Sequence, residues 1–133
     1  MKQERQILAT AALLAAISVV AGAFGAHGLK EMVPAESVAS FQTAARYLLI
    51  HSIALIGITA LPRELLSPRR KKTLFVLVLI GTLLFSGSIF LLVFNKIWQI
   101  EGLRLLGPVT PIGGLLLIVS WLFLFWITIS RRQ

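Results

Sequence analysis

The stretch that decides the fold is Thr73–Phe94, TLFVLVLIGTLLFSGSIFLLVF, which contains no charged residue. A helix crossing a hydrocarbon core of about 30 Å needs roughly 20 predominantly apolar residues. This run has that length, and the cluster Arg69-Arg70-Lys71-Lys72 stands directly before it. Working outward, Ile7–Ala26 and Thr110–Ile129 are uncharged runs of the same kind. A further apolar segment, Tyr47–Leu61, is short by itself, and its helix is expected to begin upstream near Ala35. The sequence therefore predicts an all-α, integral membrane four-helix bundle. It is one domain over 1–133, with spans at about 7–26, 38–61, 73–94 and 110–129 and a short amphipathic helix leading into the second span.

Composition agrees. Hydrophobic residues make up 57% and charged residues 14%, with a mean hydropathy of +0.89. A soluble domain is roughly 45–50% apolar and about 25% charged. Disorder is excluded, and a soluble enzyme with a loop-built site does not fit. With no cysteine, disulfides, thiol catalysis, iron–sulfur clusters and thiolate zinc sites are excluded. A net charge of +8 on a soluble domain would point to nucleic acid. Here the charges flank apolar spans, so the expected partner is the lipid bilayer and no nucleic acid.

The positions of Lys and Arg predict the orientation. Lys2, Arg5, Arg63, Arg69, Arg70, Lys71, Lys72, Arg131 and Arg132 fall on one side, against Lys30, Arg46, Lys96 and Arg104 on the other. Both termini are expected in the cytoplasm (N-in, C-in). The first span resembles a signal peptide in its basic start and its Ala21-Gly22-Ala23, but its apolar run is longer than a signal core, so it is expected to be retained. Pro62 and Pro68 separate the second span from the third. Arg69, Arg70, Lys71 and Lys72 are expected to contact anionic lipid headgroups.

Small residues allow close helix approach in lipid. Ala11, Ala15, Ser18, Gly22 and Ala26 recur along the first span, Gly87 lies in the third and Gly113-Gly114 opens the fourth. Gly22, Ala26, Gly87, Gly113 and Gly114 are the expected packing positions, in the bundle or in a homo-oligomer or a contact with another membrane protein.

Helical projection places Glu36, Ser40, Thr43, Tyr47, His51 and Ala54 in one stripe, with Arg46 beside it. A polar stripe entering the membrane is expected to face protein or water. His27, Ser86, Ser88 and Thr110 fall at a similar depth on the other helices. Together His27, Thr43, Arg46, Tyr47, His51, Ser86, Ser88 and Thr110 form the candidate ligand or lipid pocket, opening outward. The rival readings are a structural or assembly subunit without a ligand, and a small oligomeric transporter or channel.

No enzyme is expected. The chain has no Asp, its five acidic residues are Glu4, Glu31, Glu36, Glu64 and Glu101, and all lie outside the uncharged runs. No metal-ligand spacing is present, and no cofactor or metal is expected. Gly22, Gly25 and Gly28 do not make a nucleotide loop, because no strand precedes them.

The motifs Gly22-Ala23-Phe24-Gly25-Ala26-His27-Gly28-Leu29, Phe41-Gln42-Thr43-Ala44-Ala45-Arg46-Tyr47 with His51, Phe85-Ser86-Gly87-Ser88 and Leu106-Gly107-Pro108-Val109-Thr110-Pro111-Ile112-Gly113-Gly114 occur in this order along nearly the whole chain. In them the chain resembles the small membrane proteins of domain-of-unknown-function family 423, the transmembrane protein 256-like proteins. The resemblance implies a four-helix protein of the bacterial inner (plasma) membrane and carries no established activity. The chain departs from the family at Leu48, where Gln is common, and at Phe90, where Tyr is common, which thins the expected polar cluster.

Overall fold

The computed structural model describes residues 1–130. Arg131 and Arg132, counted above for the orientation, lie outside the described residues. Four long helices run up and down: α1 (Lys2–Ala26), α2 (Ala35–Ala60), α3 (Pro68–Trp98) and α4 (Val109–Ile129). At ~1.5 Å rise per residue each reaches or exceeds the hydrocarbon thickness of about 30 Å. The chain is thus a multi-pass membrane protein. The amphipathic lead into the second span is the first turns of α2 itself, without a break.

Proline marks three of the helix starts and one end. Pro34 precedes α2, Pro68 opens α3 and Pro108 precedes α4, where a missing N–H costs nothing. Leu61 before Pro62 is extended (ψ 137), as the residue before a proline prefers, and α2 stops there. α3 ends on Gln99 in the left-handed conformation (φ 55), with its N–H on Asn95 O at 2.9 Å. The chain then folds back through a 3-10 helix, Glu101–Leu106, into α4.

α1 packs mainly on α2 and α4 mainly on α3, while α2 and α3 join the two hairpins. At the end carrying the termini, Ile7, Ala11, Leu55, Ile58, Leu74, Val78 and Ile127 bring all four helices into one core. At the opposite end Leu29, Val33, Val38, Phe41 and Val93 form a second, braced by Phe24, Phe90 and Phe94. Leu13, Val19, Ile118, Leu122 and Phe125 point outward, as lipid-facing side chains do in a helical membrane protein.

Two packing positions differ from expectation. A Cβ on Gly22 or Gly87 would meet nothing within 4 Å. The buried line of α1 is Ile7, Ala11, Leu14, Ser18 and Gly25, so Gly22 sits beside the seam, and a Cβ on Gly25 would lie 2.9 Å from the Phe41 ring. Ala26 is half-buried. Gly113 carries the close crossing. It lies against a π-helical turn of α3, Leu83–Gly87, where the widened backbone bulges toward α4. A Cβ there would lie 2.8 Å from the Leu84 carbonyl carbon, whereas one on Gly114 meets the Phe85 ring at an ordinary 3.5 Å.

This contrast predicts opposite outcomes for two Gly→Ala changes. Gly113→Ala forces two backbones apart and lowers stability by about 1–3 kcal/mol. Gly22→Ala is neutral or stabilises by up to ~1 kcal/mol, through helix propensity. Thermal unfolding of the purified variants in mild detergent measures both, and equal losses would contradict the assigned crossing.

Candidate functional site

The inward face of α2 is Val38, Phe41, Ala44, Ala45, Leu48, His51, Ser52, Leu55 and Ile58, residues three or four apart along one side. Small Ala44 and Ala45 let neighbouring helices come close. That stripe, and not the polar one, decides which way the helix faces. Glu36, Ser40, Thr43, Arg46 and Tyr47 are exposed, so the expected inward polar stripe is corrected: most of it faces away from the bundle. Two of its hydroxyls need no neighbour. Ser40 Oγ donates to Glu36 O (3.1 Å) and Thr43 Oγ1 to Ala39 O (3.0 Å). Hydroxyls that bond back one turn can face either way.

His51 is the member of the stripe that goes inside, at 4% exposure. Trp121 Nε1 lies 3.2 Å from His51 Nε2, and His51 Nδ1 lies 2.8 Å from Tyr47 O. An indole N–H only donates. Nε2 therefore accepts, and Nδ1 carries the proton that bonds Tyr47 O. Both ring nitrogens are occupied, so His51 has no free position for a metal or haem iron. The Tyr47 ring stacks on His51 and meets Phe85 at a centroid distance of 4.7 Å. Trp121 was not among the expected site residues. Its signal was an indole within an uncharged span, which needs an acceptor in lipid.

The remaining interior polar atoms are also taken up by protein. Ser86 Oγ donates to Ala44 O and Ser18 Oγ to Ala45 O, each at 2.8 Å. Adjacent carbonyls of α2 are thus gripped from α3 and from α1. Ser88 Oγ donates to Phe85 O (3.0 Å), which leaves the Thr110 hydroxyl to donate to Ser88 across 2.6 Å. Thr82 Oγ1 is the one buried side-chain oxygen or nitrogen without a partner among the described residues.

The eight expected pocket residues therefore do not converge. His51, Ser86, Ser88 and half-buried Thr110 are inside and engaged with protein. Thr43 and Arg46 face outward on α2, while Tyr47 is exposed on one side and lays its ring against His51 and Phe85. His27 caps α1 and is exposed at its end. Phe90 lines a groove of about 570 Å³ with Phe24, Phe41, Phe94, Ala16 and Val20. That groove lies between α1 and α3 and is apolar throughout.

Arg46 stands apart. It is exposed, and among the described residues it makes no ion pair. Ser40, one and a half turns earlier, lines a groove with Glu36 and Lys96, the level at which α3 leaves its uncharged run. Arg46 is about 9 Å deeper at ~1.5 Å per residue. An arginine inside a span costs about 2.5–3.5 kcal/mol at the bilayer centre on insertion scales, less toward the edge.

The basic run divides. Arg69 and Lys72 are exposed and Arg70 half-buried. Lys71 corrects the expected lipid contact: it is 1% exposed. Its ammonium donates to Leu61 O (2.6 Å) and Thr59 O (3.0 Å), with Glu4 Oε1 at 3.5 Å. These carbonyls belong to the end of α2, where helical partners run out and a cation is favoured. Helical spacing along α3 turns Lys71 inward with Leu74 and Val78.

Residues 21–114 match the family described as "Protein of unknown function (DUF423)". The "UPF0382 membrane protein YwdK" of Bacillus subtilis is 33% identical over 113 residues, covering 85% of this chain and 87% of that protein. The "UPF0382 membrane protein C1782.12c" of Schizosaccharomyces pombe is 37% identical over 115 residues, covering 84% and 91%. A "UPF0382 membrane protein" of Haemophilus influenzae is 31% identical over 121 residues, covering 91% of each. No solved structure matches the chain.

Because Lys71 satisfies two carbonyls and faces Glu4, Lys71→Met lowers stability by roughly 2–4 kcal/mol. Lys72→Met changes it by less than about 0.5 kcal/mol. Unfolding midpoints in detergent separate the two, and equal effects would count against the buried role of Lys71.

Proposed function

Since the chain belongs to the DUF423 family of UPF0382 membrane proteins, we propose that it works as a non-catalytic subunit of a membrane assembly, docking through the outward face of α2. The single observation that carries this is Arg46, a cation within a span that has no acidic partner among the described residues. Its neighbours suit a helix–helix contact. Ala39, Thr43 and Gly57 are small and outward, and a Cβ on Gly57 would meet nothing in this chain. Close approach there would bring a partner's carboxylate or polar side chain to the guanidinium, which replaces the hydration lost in lipid. The interior supports the non-catalytic reading, because His51, Ser86 and Ser88 are engaged with protein groups. The basic residues at the terminal end support an inner-membrane chain with both termini in the cytoplasm.

A second reading, lipid binding, is favoured by the groove of about 570 Å³ between α1 and α3. Its phenylalanine lining suits an acyl or isoprenoid tail and not a polar small molecule.

The chain has no cysteine, so single cysteines report cleanly. In native membranes, Thr43→Cys on α2 is expected to cross-link to a partner, Leu122→Cys on α4 is not, and adding Arg46→Leu to Thr43→Cys abolishes the product. Equal cross-linking from both faces, or none from Thr43→Cys, would remove the docking face. In intact cells, Gly102→Cys is expected to react with an impermeant maleimide and Glu64→Cys is not; the reverse pattern inverts the orientation.

For the groove, a phospholipid with a diazirine in its acyl chain is expected to label the stretch 16–24 in preference to the outward side of α4. Ala16→Trp is expected to suppress that labelling. Uniform labelling would mean an ordinary lipid-facing surface.

A further inference from the structure

At the end opposite the termini, α3 and the 3-10 helix after it enclose a polar cleft of about 700 Å³. It is lined by Leu92, Asn95, Lys96, Gln99, Glu101 and Arg104. Leu92, Asn95, Lys96 and Gln99 share one face of α3 at helical spacing. Gln99, left-handed at φ 55, turns the chain so that Glu101 and Arg104 come back beside that face. The turn is held at two points: Gln99 N–H bonds Asn95 O (2.9 Å) and Ile100 N–H bonds Asn95 Oδ1 (2.7 Å). With its amide oxygen engaged, Asn95 has its NH₂ group left to donate.

The charges in the cleft are two cations and one carboxylate. Among the described residues none of the three is in an ion pair. The depth is set by the sequence. Lys96 is the first charged residue after Lys72, about 36 Å along the helix at ~1.5 Å per residue. The two lysines therefore stand at opposite faces of a core about 30 Å thick. Trp98, Ile100 and Leu105 beside the cleft are 53%, 51% and 79% exposed. The described residues leave half or more of each of these apolar side chains uncovered, and an indole at this level is characteristic of the lipid–water interface. The cleft thus opens into the headgroup layer.

We propose that this cleft holds the headgroup of an aminophospholipid, its phosphodiester between Lys96 and Arg104 and its ammonium on Glu101. Arg and Lys donate to phosphate oxygens, with Asn95 and Gln99 as further donors. Glu101 makes the distinction among lipids. Facing a purely anionic headgroup it repels, and facing a choline it finds a cation with no N–H to donate. A primary ammonium satisfies it. Lys96 also borders the groove with Glu36 and Ser40 of α2, but Arg46, Thr43 and Gly57 do not line the cleft, so the fate of the docking reading does not affect it.

The test is native mass spectrometry of the full chain in mild non-ionic detergent. The probes are phosphatidylethanolamine, phosphatidylglycerol and phosphatidylcholine at equal concentrations, and free phosphoethanolamine without tails. Phosphatidylethanolamine is expected to be retained about tenfold better than phosphatidylcholine. Lys96→Gln with Arg104→Gln is expected to lower its retention about tenfold. Glu101→Gln is expected to shift preference toward phosphatidylglycerol. Lys96, Glu101 and Arg104 are exposed, so these variants keep the fold, and an unchanged melting temperature confirms it. Equal retention of the three lipids, or insensitivity to the double variant, would overturn the proposal. So would loss on Arg69→Gln, Arg70→Gln and Lys72→Gln instead, because the lipid would then sit at the other end. Retention of free phosphoethanolamine to the same extent would overturn the lipid as its source.

Discussion

Hydrocarbon offers no hydrogen bond, and this one constraint runs through the whole molecule. Most polar groups that enter the membrane find their partner in the chain; among the described residues Thr82 Oγ1 has none and Arg46 has no ion pair. The hydroxyls of Ser40, Thr43, Ser52 and Ser120 return to carbonyls of their own helix. Those of Ser18 and Ser86 cross to neighbouring carbonyls of α2. Where α2 stops and its last carbonyls lose helical donors, Lys71 arrives from α3 and takes two of them. The indole of Trp121 finds the open lone pair of His51. With little hydrophobic drive between helices in lipid, these bonds and the close crossing at Gly113 fix the register that packing alone would leave loose.

α2 is the element on which this converges. Its buried Ala44 and Ala45 present adjacent carbonyls to two different helices, and its end is closed by a third contact. It cannot rotate to bury Arg46 without withdrawing these carbonyls from Ser18 and Ser86. The direction of Arg46 is thus imposed by the packing of the opposite face. Stability resides on one side of α2, and the unsatisfied chemistry on the other.

The spans were legible because length and the absence of charge leave few alternatives. Thr73–Phe94 lies inside Pro68–Trp98, and Ile7–Ala26 inside Lys2–Ala26. The facing of α2 was not legible from its polar residues. A projection of Ser40, Thr43, Tyr47 and His51 assumes that polar atoms seek the interior, yet two of these hydroxyls are satisfied within α2. What turns the helix is the small and apolar stripe from Val38 to Ile58. Lys71 could not be told from its three basic neighbours by composition. Its burial depends on where the end of α2 and Glu4 of α1 meet α3, which is a tertiary fact. His51 lies inside, and Trp121, expected only to face lipid or pack, reaches it across seventy positions.

The two ends of the bundle treat similar residues in opposite ways. At the terminal end a lysine is drawn inward and spent on closing α2, beside a glutamate from another helix. At the other end Lys96 and Arg104 stay exposed, with Glu101 near them in one cleft and no ion pair among the three. A loop built only to join α3 to α4 would gain from pairing those charges, which the left-handed turn at Gln99 already brings into one cleft. That they stand apart around an open volume is the geometry on which the lipid proposal rests. Arg46, also in no ion pair among the described residues, carries the docking proposal in the same way. Both sets of unspent charge face the lipid phase or its interface, which is why the two proposals place this protein's contacts with other molecules on its surface and not in its core.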